Sequence, residues 1–116
     1  MKGLIIKETW LNRIFDTTNP KDWEIRGTNT TIRGRIYLIQ SGSGLIMGEA
    51  ELVDSIPFDV RKFEDNHNHH QILSWHMIPY KQPYAWILKN VKKYTQPVPY
   101  THPQGAVIWV NIGEDK

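Results

Sequence analysis

Apolar positions in this chain fall into short runs, most with the two-residue alternation of a half-buried strand and two with helical spacing. Residues 3–7 read as a first strand. Thr9 offers an N-cap to a helix in which Trp10 pairs with Ile14 and Leu11 with Phe15 at i, i+4; that helix must stop before Pro20. Extended runs follow at 22–26, 35–40 and 45–53, and Ser41-Gly42-Ser43-Gly44 joins the last two into a hairpin. Residues 58–64 predict a short helix with Phe58 and Phe63 turned to the core, and 65–70 a polar Asn/His loop. Residues 84–88 and 106–112 read as closing strands, separated by a non-helical stretch holding Pro97, Pro99 and Pro103. Five to six short strands with two or more short helices predict an α+β fold, a small mixed β-barrel with helices over one end.

Composition narrows the class. At 116 residues the chain is long enough for one modest core and suits a single domain spanning residues 1–116. Hydrophobic residues at 40% and charged residues at 22% are ordinary globular values, which excludes disordered and fibrous classes. Five Trp and five Tyr supply much of the core volume, each with a polar handle that needs a partner when buried or is free to meet a ligand. A formal net charge of +2 leans only slightly toward nucleic acid. Without cysteine there is no disulfide, thiolate nucleophile or zinc–cysteine site, which fits a reducing compartment. No stretch nears the ~20 apolar residues of a membrane span, so a cytoplasmic protein without a membrane partner is expected. The oligomeric state is left open.

The densest chemistry lies in Pro20-Lys21-Asp22-Trp23-Glu24-Ile25-Arg26-Gly27. In an extended chain Trp23 and Ile25 face one way and Asp22, Glu24 and Arg26 the other, with the Glu24 and Arg26 β-carbons roughly 6–7 Å apart. Lys21 arrives from the Pro20 turn. Such a group suits an anionic or amide-bearing ligand; it also suits the solvated face of any half-buried sheet. Lys21 becomes a usable base if burial or a neighbouring Arg lowers its pKa, while Glu24 acts in the opposite sense. Arg26 keeps its charge and either orients a phosphate or carboxylate or pairs structurally with Glu24 or Asp22.

The same stretch resembles the G-x-K-x-x-E-x-R signature of the ASCH family, with Lys21, Glu24 and Arg26 on its Lys, Glu and Arg. Asn19 stands where the signature has glycine, and Asn also accepts left-handed turn geometry. The resemblance extends to Leu4-Ile5-Ile6-Lys7 with Trp10, to Arg33-Gly34-Arg35-Ile36, and to Met47-Gly48-Glu49-Ala50-Glu51-Leu52-Val53-Asp54. It continues in Tyr84-Ala85-Trp86-Ile87-Leu88 and in the segment from His102 to Val110. It implies a PUA-like β-barrel. Some relatives of similar fold are amidohydrolases that remove the acetyl group from N4-acetylcytidine, and the resemblance implies the catalytic lysine's role for Lys21. Their Thr nucleophile, three residues after that lysine, is replaced by Glu24, which can activate water but would not form the same acyl intermediate. Other ASCH relatives are described as ribonucleases or as nucleic-acid binders in transcription coactivators.

Stacking aromatics complete a nucleic-acid cleft, at ~1–3 kcal/mol per base. Trp10, Tyr84 and Tyr100 are candidates because they flank turns or helix starts near the motif segments, and His102 because it lies in the closing segment. Core packing, or for His102 a turn hydrogen bond, is the plain alternative. Trp23, Trp86 and Trp109, mid-strand, are assigned to the core. His67, His69 and His70 invite a zinc reading, but a polar loop lacks the separated, rigid ligands of a metal site, and no metal or cofactor is expected. Three functions stay open. The first is a domain binding RNA or a modified nucleotide through Lys21, Glu24 and Arg26. The second is a small hydrolase, amidohydrolase or ribonuclease, in which Lys21 and Glu24 share acid–base work. The third is a protein-interaction module.

Overall fold

The chain is described from a computed structural model over residues 1–113. Strand β1 (Lys2–Ile6) leads directly into helix α1 (Glu8–Ile14), followed by β2 (Trp23–Arg26), β3 (Gly34–Gln40) and β4 (Leu45–Pro57). Two short helices, α2 (Val60–Asp65) and α3 (His67–His70), and a 3-10 turn (Trp75–Met77) precede β5 (Tyr84–Pro99) and β6 (Trp109–Asn111). The strands form one sheet in the order β2-β5-β4-β3-β1-β6, in which β1 and β3 are parallel and every other pair antiparallel.

Residues 4–6 of the parallel pair are buried on both faces and residues 36–39 largely so, which is why these two runs are continuously apolar. Leu4, Ile6, Ile36 and Leu38 point inward, where they meet Ala50, Leu52, Trp86 and Leu88. Ile5 and Ile39 point outward, under Tyr37, Tyr94 and Tyr100. Helix α1 lays Leu11 and Ile14 against the inward cluster and so plugs the curled sheet. Glycine is required at position 48, where a Cβ would stand 2.3 Å from the Lys92 carbonyl oxygen and 2.8 Å from Phe15 Cζ. The far ends of the sheet meet through side chains. The Trp86 ring on β5 stacks on Trp109 of β6 at 5.6 Å, and Arg26 on β2 donates to the Ile5 carbonyl on β1 at 2.8 Å. The core assignment thus stands for Trp86, while Trp23 and Trp109 are half-buried against the core.

Three local expectations are corrected. Thr9 does not cap α1, because Lys7 is still extended at the cap position and the helix starts at Glu8 with no side-chain cap. Residues 67–70 are helical: His70 is buried and stacked on Phe63 at 4.5 Å, and tertiary packing overrides the polar composition. The strand from Tyr84 does not end at Leu88; it runs on through Pro97 to Pro99. Beyond Leu88, whose N–H bonds to the Asp22 carbonyl, no described strand pairs with its β2 side, so proline nitrogens without hydrogen sit on a free edge.

Candidate functional cleft

Strand β2 is short, and its polar face is turned inward. Residues 23–26 pair with Ile87 to Tyr84 of β5, which fixes the alternation: Trp23 and Ile25 pack on the outer cluster with Phe58 and Ile72. Glu24 and Arg26 therefore face the barrel mouth. Glu24 is only 4% exposed, and its Oε2 accepts from Arg26 Nε at 2.8 Å. The Arg26 guanidinium also lies 5.7 Å from the Trp86 ring centre and spans the seam to Ile5. This pair is no solvated sheet face. The other carboxylate oxygen, Glu24 Oε1, is buried with no hydrogen-bond partner among the described residues.

Lys21 enters the same space from the turn. Its backbone N–H bonds to the Arg13 carbonyl at 2.9 Å, and the next residue, Asp22, exchanges backbone bonds with His69 and Leu88. The side chain is 1% exposed; its ammonium donates to the His70 carbonyl and stands 4.6 Å over the Trp10 ring. The Lys21 pKa is lowered from 10.5 to about 8, chiefly by burial, with Arg13 and Arg26 adding to the fall and Glu24 and Asp22 opposing it.

These side chains line a cleft of about 320 Å³ at the seam between β2 and β1. Lys7, Lys21 and Arg26 bring three cationic groups to it against the one carboxylate of Glu24, and Tyr80 and Met77 form part of its mouth. The volume is at the small end of ligand pockets, ~300–1,000 Å³.

Of the aromatic candidates, only Trp10 lines the cleft, and its ring is covered by Lys21 and by Arg13 at 5.7 Å. Tyr84 packs against the main core, opposite Arg26 in the β2–β5 register. Tyr100 and His102 lie outside the lining and bond to each other: the Tyr100 hydroxyl is 2.7 Å from His102 Nδ1, and His102 Nε2 is 2.9 Å from the Ala106 carbonyl. The histidine run serves as a clasp. His69 Nδ1 meets Asp22 Oδ1 at 2.8 Å and its ring stacks on Trp23, while His70 Nδ1 accepts from the Ile72 N–H and Nε2 donates to the Phe63 carbonyl. Burial lowers the His70 pKa below 6.5 and favours this neutral tautomer. Among the described residues no group of three His, Cys, Asp or Glu is placed to hold a metal ion. Lys7, Met77 and Tyr80 escaped the sequence reading. The only signal for Tyr80 was an aromatic ring in an unassigned loop.

A curled six-stranded mixed sheet plugged by a short helix defines a small α+β domain of the PUA-like class. Within that class the fold is that of ASCH proteins. The chain is similar to the crystal structure of ASCH from Zymomonas mobilis, at TM-score 0.68 and 14% identity over 97% of this chain and 87% of that one. Two single-residue mutants of ZmASCH match likewise, at TM-scores 0.68 and 0.70 and 14% identity, over 97% of this chain and 90% and 88% of theirs. No protein-family model and no curated protein matches the chain. The shared property is therefore the fold. No helix among the described residues is long and apolar enough to cross a membrane.

Proposed function

We propose that this ASCH-fold protein binds RNA or a modified nucleotide, taking one nucleotide into the cleft built on Lys21, Glu24 and Arg26. The observation that carries the reading is the buried Glu24 Oε1, without a hydrogen-bond partner among the described residues, in a cleft whose other charged lining residues, Lys7, Lys21 and Arg26, are all cationic. A buried carboxylate oxygen without a donor is destabilising, and a ligand bearing an N–H or O–H group supplies the missing bond. The cationic groups of Lys7, Lys21 and Arg26 favour a ligand that is also anionic, and a nucleotide combines both chemistries in a volume this small.

Isothermal titration with nucleoside monophosphates and a short RNA tests this in the wild type, Lys21→Met and Glu24→Gln. Arg26 is a poor probe, because it also closes the seam at Ile5. Both variants are expected to keep a cooperative melt and weaken binding at least tenfold. Unchanged affinity in both, or no binding by the wild type, removes the reading.

One observation favours hydrolysis as a second reading: a lysine of pKa about 8 is partly neutral near physiological pH and able to accept a proton. With Glu24 orienting a water, the site would release acetate and cytidine from N4-acetylcytidine, or cleave RNA. The two readings respond oppositely to pH. Anion binding by the ammonium weakens as pH rises above 8, whereas turnover by the neutral amine climbs through the same range.

A further inference from the structure

Among the described residues two aromatic rings line the cleft, and one of them is free. Trp10 is covered by the Lys21 ammonium and the Arg13 guanidinium. Tyr80 has no ring or cation packed on it among the described residues, its hydroxyl has no hydrogen-bond partner there, and it remains 39% exposed at the mouth. Its other side is held. A Cβ on Gly27, the residue that follows β2, would come within 2.6 Å of Tyr80 Cδ1 and 3.1 Å of Cγ and Cε1. Gly27 thus makes room for the ring beside the Glu24–Arg26 pair, and Met77, 55% exposed, adds apolar surface to the same rim. An exposed ring seated on backbone, next to a buried acceptor lacking its donor, matches the two needs of a nucleobase: a face to stack on and an edge to bond.

Resting on the nucleotide reading of the cleft, we propose that Tyr80 is its base-stacking residue, seated on Gly27 so that the planar heteroaromatic base under it reaches Glu24 Oε1 with an N–H edge. The phosphate then lies toward the cationic side chains. The claim separates recognition of the base from capture of the phosphate, and the two are measured separately.

The experiment is calorimetric titration of wild type, Tyr80→Ala, Tyr80→Phe and Gly27→Ala with AMP, CMP and base-free ribose 5-phosphate. The wild type is expected to bind at least one nucleotide about tenfold or more tighter than ribose 5-phosphate, within the range one stacked base confers. Tyr80→Ala abolishes that preference while leaving ribose 5-phosphate affinity in place, and Tyr80→Phe retains it. Gly27→Ala reproduces the loss with little change in melting temperature, because the intruding methyl meets an exposed ring able to swing away. Equal affinity for nucleotide and ribose 5-phosphate in the wild type, or a preference that survives Tyr80→Ala, overturns the stacking role and leaves the anion cleft standing. Binding of none of the three overturns both.

Discussion

Lys21 carries an ammonium into the interior with a carbonyl and an indole as neighbours and, among the described residues, no carboxylate within ion-pairing distance. That arrangement opposes folding, and its size is measurable through pH. Below pH 8 the ammonium is protonated in folded and unfolded chains alike, so the full burial penalty is present. Between about 8 and 10.5 the folded protein releases a proton the unfolded chain keeps, and stability rises. Urea denaturation of wild type and Lys21→Met should therefore diverge: wild-type stability gains on the variant by on the order of 3 kcal/mol between pH 7 and 10.5. A difference that stays flat would mean that the amine titrates normally. The sequence placed Lys21, Glu24 and Arg26 together because alternation along a strand is local. It could not reveal the burial of Lys21, which depends on Trp10, His70 and a turn distant in sequence. Tyr80 was invisible for the same reason, since only the meeting of its loop with Gly27 gives it a site.

At the scale of elements, strands were more legible than helices. β2, β3 and β4 stand where their alternation and β-branched content put them, β2 one residue shorter at its start, β3 one longer at its start and β4 running on to Pro57. α3 was not legible, because a four-residue His/Asn helix has no apolar periodicity and exists through what it touches. It presents the His70 carbonyl to Lys21 and the His69 carbonyl to the Asp22 N–H. His70 holds it down by bonding on both ring nitrogens. His70→Leu would leave the Phe63 carbonyl and Ile72 N–H without partners, a loss of roughly 2–4 kcal/mol by urea denaturation. The wild type should also weaken relative to that variant as pH falls through 6.5, because the unfolded chain takes up a proton the buried imidazole resists. If the variant instead equals wild type in stability, α3 is not anchored through His70.

The whole molecule places its cleft at a seam. The sheet curls until β2 faces β1, and Arg26 and the Trp86–Trp109 stack bridge the gap that backbone pairing leaves. A ligand there touches both ends of the sheet, yet the space holds about one nucleotide. Outside it, three arginines are ion-paired: Arg35 with Glu49 at 2.7 Å, Arg33 with Asp54 at 3.6 Å and Arg61 with Asp65 at 3.8 Å, under a net charge of +2. A cleft that takes one nucleotide engages few phosphates. RNA binding should then release few counterions, and salt dependence counts them at a slope of about −0.7 per phosphate for a single strand. With one to three phosphates engaged, log K for a ten-nucleotide RNA against log salt concentration should fall with a slope between about −0.7 and −2. The oligonucleotide should gain little over a mononucleotide at high salt. A slope of about −4 or steeper would require six or more phosphate contacts, and the protein would then bind an extended RNA tract along its outer sheet instead of a single nucleotide in the seam.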